Sequence, residues 1–400
     1  MAGAIFVVAG SSHGQQGPVA SLVSTAGWAS AAQRVLGQAW ICTSAGILTP
    51  EDARRRGSHP SLCTAAVPPL RRRVPAPVKT AVKDLRSWRR AQRFSVERDG
   101  PWSSGAVRFV WQRHELFQDA GLRLARALAV PSVLFVPATV VWEADRWGSS
   151  RPGWGRWIER VGERPSLLAA DVVACGSDEV AEQVQRLGVP EARVLQTPSG
   201  ADIELFGRYQ DGRRLRHELG LDEDFVVGWV GSFRGFHALD LLVDAAAGLA
   251  GVTLLLVGDG PERARVEQHA TDRGVRAVCT GTVPHEELAG YLAAMDAAVV
   301  VAGDAEGFHY SPLKLAEYLA AGRAVVAPRV GQVQQRLRDG GEALLVRPGD
   351  VDELTAALVQ LRDDPALRRR LGEAARAAAV TDWSWDRSLR LVVQRLERAG

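Results

Sequence analysis

The sequence predicts an α/β protein made of two doubly wound, Rossmann-like domains facing across a cleft. Three observations predict it. Four hundred residues exceed what one hydrophobic core comfortably organises. In each half, short β-branched runs alternate with stretches of helical spacing, the pattern of parallel strands with right-handed crossovers. Between the halves, around residues 206–220, the composition turns polar and charged (GRYQDGRRLRHELG). The boundary is therefore placed there, giving an N-terminal domain over 1–207 and a C-terminal domain over 208–381.

Composition narrows the classes. No apolar run approaches the length of a membrane span, and a net charge of +3 on this length gives no global argument for nucleic acid. The four cysteines, Cys42, Cys63, Cys175 and Cys279, show neither metal-ligand nor redox spacing, so reduced thiols in a cytoplasmic protein are the simplest account. The opening AGAIFVVAG lacks a basic segment and reads as a buried first strand.

Residues 4–9 form that strand, followed by the loop GSSHGQQG and a helical stretch to about Arg34. The loop's glycines, Gly14 among them, allow backbone to approach a ligand, and His13 stands beside them, but no nucleotide-binding glycine signature is present. A second strand is expected over 39–43, a third over 107–112, a helix over 116–128 and a strand over 133–137. His114 and Glu115 lie where the 107–112 strand ends, and Glu143 follows the next one. Carboxyl ends of strands are where open α/β sheets bind ligands. Taken singly, each of the three residues is better explained as a helix cap or a polar group at the core's edge. A strand over 170–176, a helix over 178–187 and a strand running into the TPSGAD turn complete the half.

The stretch 71–93, RRRVPAPVKTAVKDLRSWRRAQR, sets nine basic residues against Asp84 alone. From Val78 its spacing is helical, with Val78, Val82, Leu85 and Trp88 on one side. Such a segment is either an interfacial helix resting on anionic lipid or a solvated helix of an arginine-rich protein.

The second half restarts the alternation: strands over 225–230, 252–257, 277–279 and 297–301, helices over 239–249, to about Arg273, and over 286–294. Then comes 306–323, EGFHYSPLKLAEYLAAGR, where the chemistry concentrates. Ser311 suits an N-cap, Pro312 the first helical position, and Gly322 a left-handed stop. Unpaired amides and the helix dipole collect anions at such a start. Lys314 and Glu317, three apart, share one face there. A diphosphate with a carboxylate one turn further in would need this arrangement; an ordinary capped helix with an exposed Lys–Glu pair is the plainer reading.

In its order of pieces the second half resembles the family 4 glycosyltransferases of the GT-B fold. The resemblance runs over 225–381 and rests on VVGWVGSF, HALDLLVDA, LLLVGDGPER, TGTVPHEELAGYLAAMDAAVV, SPLKLAEYLAAGRAVVAP and GGEALLVRPGD. Pro198, Gly200 and Asp202 match that family's linker entry, and the tail from WSWDRS resembles its closing helix. The resemblance implies that the 382–400 helix crosses back to complete the N-terminal domain. It further implies a cytoplasmic hexosyltransferase of carbohydrate biosynthesis, retaining, drawing on a UDP- or GDP-sugar and needing neither cofactor nor metal.

For the site residues the resemblance implies the following. Glu317 takes the second position of a Glu-x7-Glu pair and would bind the nucleotide ribose; the first position is His309, with Glu306 out of register. The arginine that commonly follows the first strand's glycine is Ser232 here, so Arg234 and Lys314 are the candidate diphosphate cations, and the customary lysine falls near His237. Gly231, Ser232, Gly258, Val283, Phe308, Tyr310, Ser311, Pro312 and Leu313 would line the donor; Gly14, His114, Glu115 and Glu143 the acceptor. The acceptor would be a glycan, a lipid-linked sugar or a small-molecule scaffold, with the tryptophans of WEADRWGSSRPGWGRW as a flat wall or ordinary packing. A nucleotide-sugar 2-epimerase and a non-catalytic nucleotide-sugar binder are the alternatives on the same fold. No nucleic-acid partner is expected; peripheral contact with the inner face of a membrane is one of the two readings of 71–93, a solvated helix the other.

Overall fold

Runs too apolar to alternate make strands buried on both faces, and that requirement organises the chain. In the computed structural model, which describes residues 2–9, 19–57, 75–146, 150–207, 211–304 and 312–399, they assemble into two sheets. Of these residues, the first unit comprises those up to Pro198 together with those from Trp385 onward; the second is Ser199–Ser384. Both are Rossmann-like.

In the first unit, strands β1 (Ala2–Val8), β2 (Gly37–Thr43), β3 (Gly46–Leu48), β4 (Ala106–Arg113), β5 (Ser132–Val136), β6 (Val172–Cys175) and β7 (Val194–Gln196) are ordered β3-β2-β1-β4-β5-β6-β7. All pairs are parallel except β2–β3, an edge hairpin that the sequence pattern did not announce. Thr43 builds its turn by accepting from the Ala45 amide and donating to the Gly46 carbonyl. The 116–128 helix begins later than expected, at Ala120. Phe117 holds φ at 65°, which no helix can pass through, and the Gln112 carboxamide oxygen accepts from the Gly121 and Leu122 amides to cap the shorter helix.

The C-terminal helix, Trp385–Ala399, belongs to this unit. Gly27 is the reason it can dock: a Cβ there would lie 2.3 Å from the Trp385 indole nitrogen. The Trp385 ring packs 5.7 Å from that of Trp28, and Arg34 forms a bidentate pair with Asp386, Nε to Oδ2 and Nη2 to Oδ1. Several tryptophans are therefore core: Trp28, Trp102 and Trp111 are fully buried. Of the expected flat wall, Trp157 is exposed, Trp142 stacks under Arg146 and Trp154 donates to Asp84; Trp147 lies outside the described residues.

The second unit's strands, β8 (Phe225–Val230), β9 (Val252–Val257), β10 (Arg276–Gly281), β11 (Ala297–Val299), β12 (Ala324–Pro328) and β13 (Leu344–Val346), are all parallel, in the order β10-β9-β8-β11-β12-β13. The units change at 198/199, ahead of the 207/208 break that composition suggested. Ala201 and Phe206 are buried in the second core, so the polar stretch follows the change instead of marking it. The return falls at 384/385 instead of 381/382, because Trp383 packs in the second core and Trp385 against Trp28.

No described helix is long and apolar enough to cross a membrane. Cys42, Cys175 and Cys279 are free, their thiols pushed up to about 12 by burial. Cys63 lies outside the described residues.

Candidate functional site

In the second sheet, connections run outward in both directions from the neighbours β8 and β11. That reversal opens a crevice beyond their carboxyl ends, the place where doubly wound sheets bind ligands. Strand β8 leads into Gly231, Ser232, Phe233 and Arg234; β11 leads on to the Leu313–Ala320 helix.

Lys314, on the first turn of that helix, is the central cation. Its Nζ stands 4.1 Å from the centroid of the Trp229 ring, within reach for a cation–π attraction. Gly231 makes room for it, since a Cβ there would come within 2.8 Å of Nζ. Burial pushes the ammonium down to about 7, with the Glu317 carboxylate pulling the other way. Gly258, after β9, packs so tightly on the same turn that a Cβ would meet the Gly231 carbonyl oxygen at 1.9 Å.

Two contacts fix the helix against the sheet. The Tyr318 hydroxyl, fully buried, accepts the Val230 amide at 2.7 Å. The Glu317 carboxylate, 7% exposed, lies 2.9 Å from Nε2 of His285, beyond β10. The plainer reading of an exposed Lys–Glu pair is thus excluded by burial and by these partners. The helix start differs from expectation as well: Pro312 is the N-cap and not the first helical residue, since its ψ of 114° is extended, and it offers no side-chain acceptor.

Arg234 is exposed, and it ends an extended turn whose carbonyl accepts the His237 amide. His237 does not replace a lysine as a cation. It is buried edge-on to Trp229, 5.3 Å between ring centroids, and held down to about 2 first by burial and then by the charges of Lys314 and Arg234. One neutral ring therefore feels both candidate diphosphate cations. Ser232 is exposed, Val283 and Leu313 half-buried, and Pro312 buried. His309, Phe308, Tyr310 and Ser311, with Glu306, lie outside the described residues, as do Gly14 and His13.

In the first unit, the sheet reverses between β1 and β4. His114, just past β4, is too deep to meet an acceptor: its side chain has no exposure and its Nε2 lies 3.1 Å from Glu163, which also accepts the Val140 and Val141 amides. Glu115 and Glu143 are half-buried, and both act on Arg113, whose guanidinium burial pushes downward while the two carboxylates raise it. Sequence reasoning missed Arg113, Glu163 and His285. The first and last sit just inside or beyond strand ends, a signal that was available; Glu163 carried none.

Comparison with known proteins gives first a class. Residues 224–364 match the family "Glycosyl transferases group 1". Across 99% of the chain the fold is that of HepE from Anabaena, solved in complex with UDP, at a TM-score of 0.66 and 16% identity over 100% of that chain. The chain thus shares the two-domain GT-B fold of such neighbours. Among individual relatives, the lipopolysaccharide core biosynthesis glycosyltransferase LpsE of Rhizobium meliloti is 32% identical over 57% of this chain and 65% of its own. The GDP-mannose-dependent α-(1-6)-phosphatidylinositol monomannoside mannosyltransferase of Mycolicibacterium smegmatis is 31% identical over 58% and 64%. The chain thus spans just under two thirds of the length of these two relatives.

Proposed function

We propose that this chain is a retaining glycosyltransferase, moving a hexosyl group from a UDP- or GDP-sugar to a hydroxyl of a glycan, a lipid-linked sugar or a natural product in the cytoplasm. The observation that carries the reading is a coincidence: the family match at 224–364 contains the crevice where Lys314, Gly231 and Glu317 gather. The diphosphate lies between Lys314 and Arg234 and along the amides at the helix start. Glu317, held by His285, takes the ribose; Val283 and Gly258 border the base.

As the bond between the anomeric carbon and the phosphate oxygen breaks, negative charge grows on the leaving diphosphate, and the two cations stabilise it selectively. The acceptor oxygen bonds to the same face of the anomeric carbon and its proton passes to the departing phosphate. No metal is assigned a part. Glu115 and Glu143 serve the acceptor.

The test is calorimetric titration with UDP- and GDP-sugars, followed by incubation with an acceptor panel in the presence of EDTA and NMR of the product's anomeric configuration. Donor binding and transfer with retention support the reading. Epimerised sugar without acceptor, donor binding without turnover, or inversion would each replace it.

A further inference from the structure

Helices of globular proteins turn apolar residues inward, and the Ala76–Arg93 helix does the opposite. At 100° per residue, Val78, Val82, Leu85 and Trp88 form one stripe and Thr80, Asp84, Ser87 and Ala91 lie on the far side. Asp84 and Ala91 are the buried residues, with Thr80 and Ser87 half-buried. The apolar four are 49%, 41%, 45% and 46% exposed.

The inversion is held by a buried anchor. Asp84 receives a bidentate pair from Arg151, at 2.9 and 2.8 Å, and a third bond from the Trp154 indole at 3.2 Å. The helix's sole carboxylate is thereby used inward. Along one flank of the outward stripe stand Lys79 and Arg86, with Arg89 inside it, all exposed. An apolar band edged by cations, with no outward acid on the helix, is complementary to one kind of surface: acyl chains under anionic headgroups.

We propose that the 76–93 helix docks the protein on an anionic phospholipid bilayer, with Val78, Val82, Leu85 and Trp88 entering the headgroup–acyl boundary and the flanking cations on the phosphates. The inference does not depend on the sugar-transfer reading. Co-sedimentation of the full chain with phosphatidylcholine vesicles and with mixed phosphatidylcholine–phosphatidylglycerol vesicles tests it. The expected result is binding to the mixed vesicles, weakened by salt. Val82→Asp with Leu85→Asp should reduce that binding more than tenfold. Each of Lys79→Gln and Arg86→Gln should reduce it about fivefold at low salt. Unchanged thermal unfolding of these variants excludes loss of fold. Absence of binding to anionic vesicles overturns the proposal, as does binding that Leu85→Asp leaves intact. Self-association in sedimentation velocity that Leu85→Asp abolishes, without vesicle binding, assigns the stripe to a second copy of the chain and overturns it too.

Discussion

Lys314 Nζ rests 4.1 Å over the ring of Trp229, so the one cation carried by the helix after β11 is packed on the strand that begins the second unit. Burial disfavours its charged form and brings the ammonium down to about 7 from a usual value near 10.5. A diphosphate nearby favours the charged form. Ligand binding between about pH 7 and 9 should therefore draw a proton onto Lys314. Calorimetry of UDP binding in Tris and in HEPES, whose ionisation enthalpies differ, should report uptake approaching one proton, and Lys314→Met should abolish it. Identical heats in both buffers would place the diphosphate elsewhere. The same depressed value has a sign for stability. The unfolded chain holds this proton up to about pH 10.5 and the folded one releases it near 7, so the group's contribution to stability rises with pH across that window and is flat below it.

Glu317 is held by His285 at 2.9 Å through Oε1 and is nearly buried, which orients its carboxylate. Glu317→Ala should raise the donor Kd or KM at least tenfold, about 1.4 kcal/mol, while the unfolding midpoint moves little. Glu317→Gln should recover part of the affinity, because a carboxamide oxygen still accepts. Donor binding unchanged in Glu317→Ala removes the residue from the site.

Much of this was legible in the sequence because strand runs and glycine stops are local signals. Residues 225–230 and 252–257 were read with the bounds observed, since runs this short, rich in β-branched residues and bounded by turn residues, favour buried strands. The Lys314–Glu317 pairing on one helix face was legible for the same reason. What was not legible depends on distant partners. Nothing near His114 announces Glu163, which comes from an irregular π-helical turn, 159–163, and converts an apparent strand-end ligand into a buried pair. The polar stretch after Phe206 looked like a domain boundary because composition does not say which core a preceding helix fills.

Tyr318 and Val230 supply a test of how the crevice is held open. The buried hydroxyl accepts the amide at the last position of β8, and Tyr318→Phe leaves that N–H without a partner. An unpaired buried donor costs about 1–3 kcal/mol. Urea unfolding should register a loss in that range, and UDP affinity should fall as well, since the Gly231 turn begins at the next residue. A variant as stable as the parent would mean that water or another carbonyl takes the bond over.

The Asp84–Arg151 pair makes a sharper claim, because both side chains are almost fully buried, 6% and 2% exposed. Removing one partner leaves the other charged and enclosed, which costs about 3–5 kcal/mol. Asp84→Leu and Arg151→Met should each destabilise the protein by that much in denaturant titrations. The double replacement should recover most of the loss, since neither charge is then stranded and two apolar side chains of similar volume fill the space. The double variant has a second consequence. The 76–93 helix would no longer be fixed by a polar anchor on its inward side, and Leu in place of Asp84 lets it rotate without leaving a charge unpaired. Hydrogen exchange over 76–93 should therefore quicken even where global stability is regained. Recovery of stability with unchanged exchange would show that Thr80, Ser87 and Ala91 hold the helix orientation by themselves.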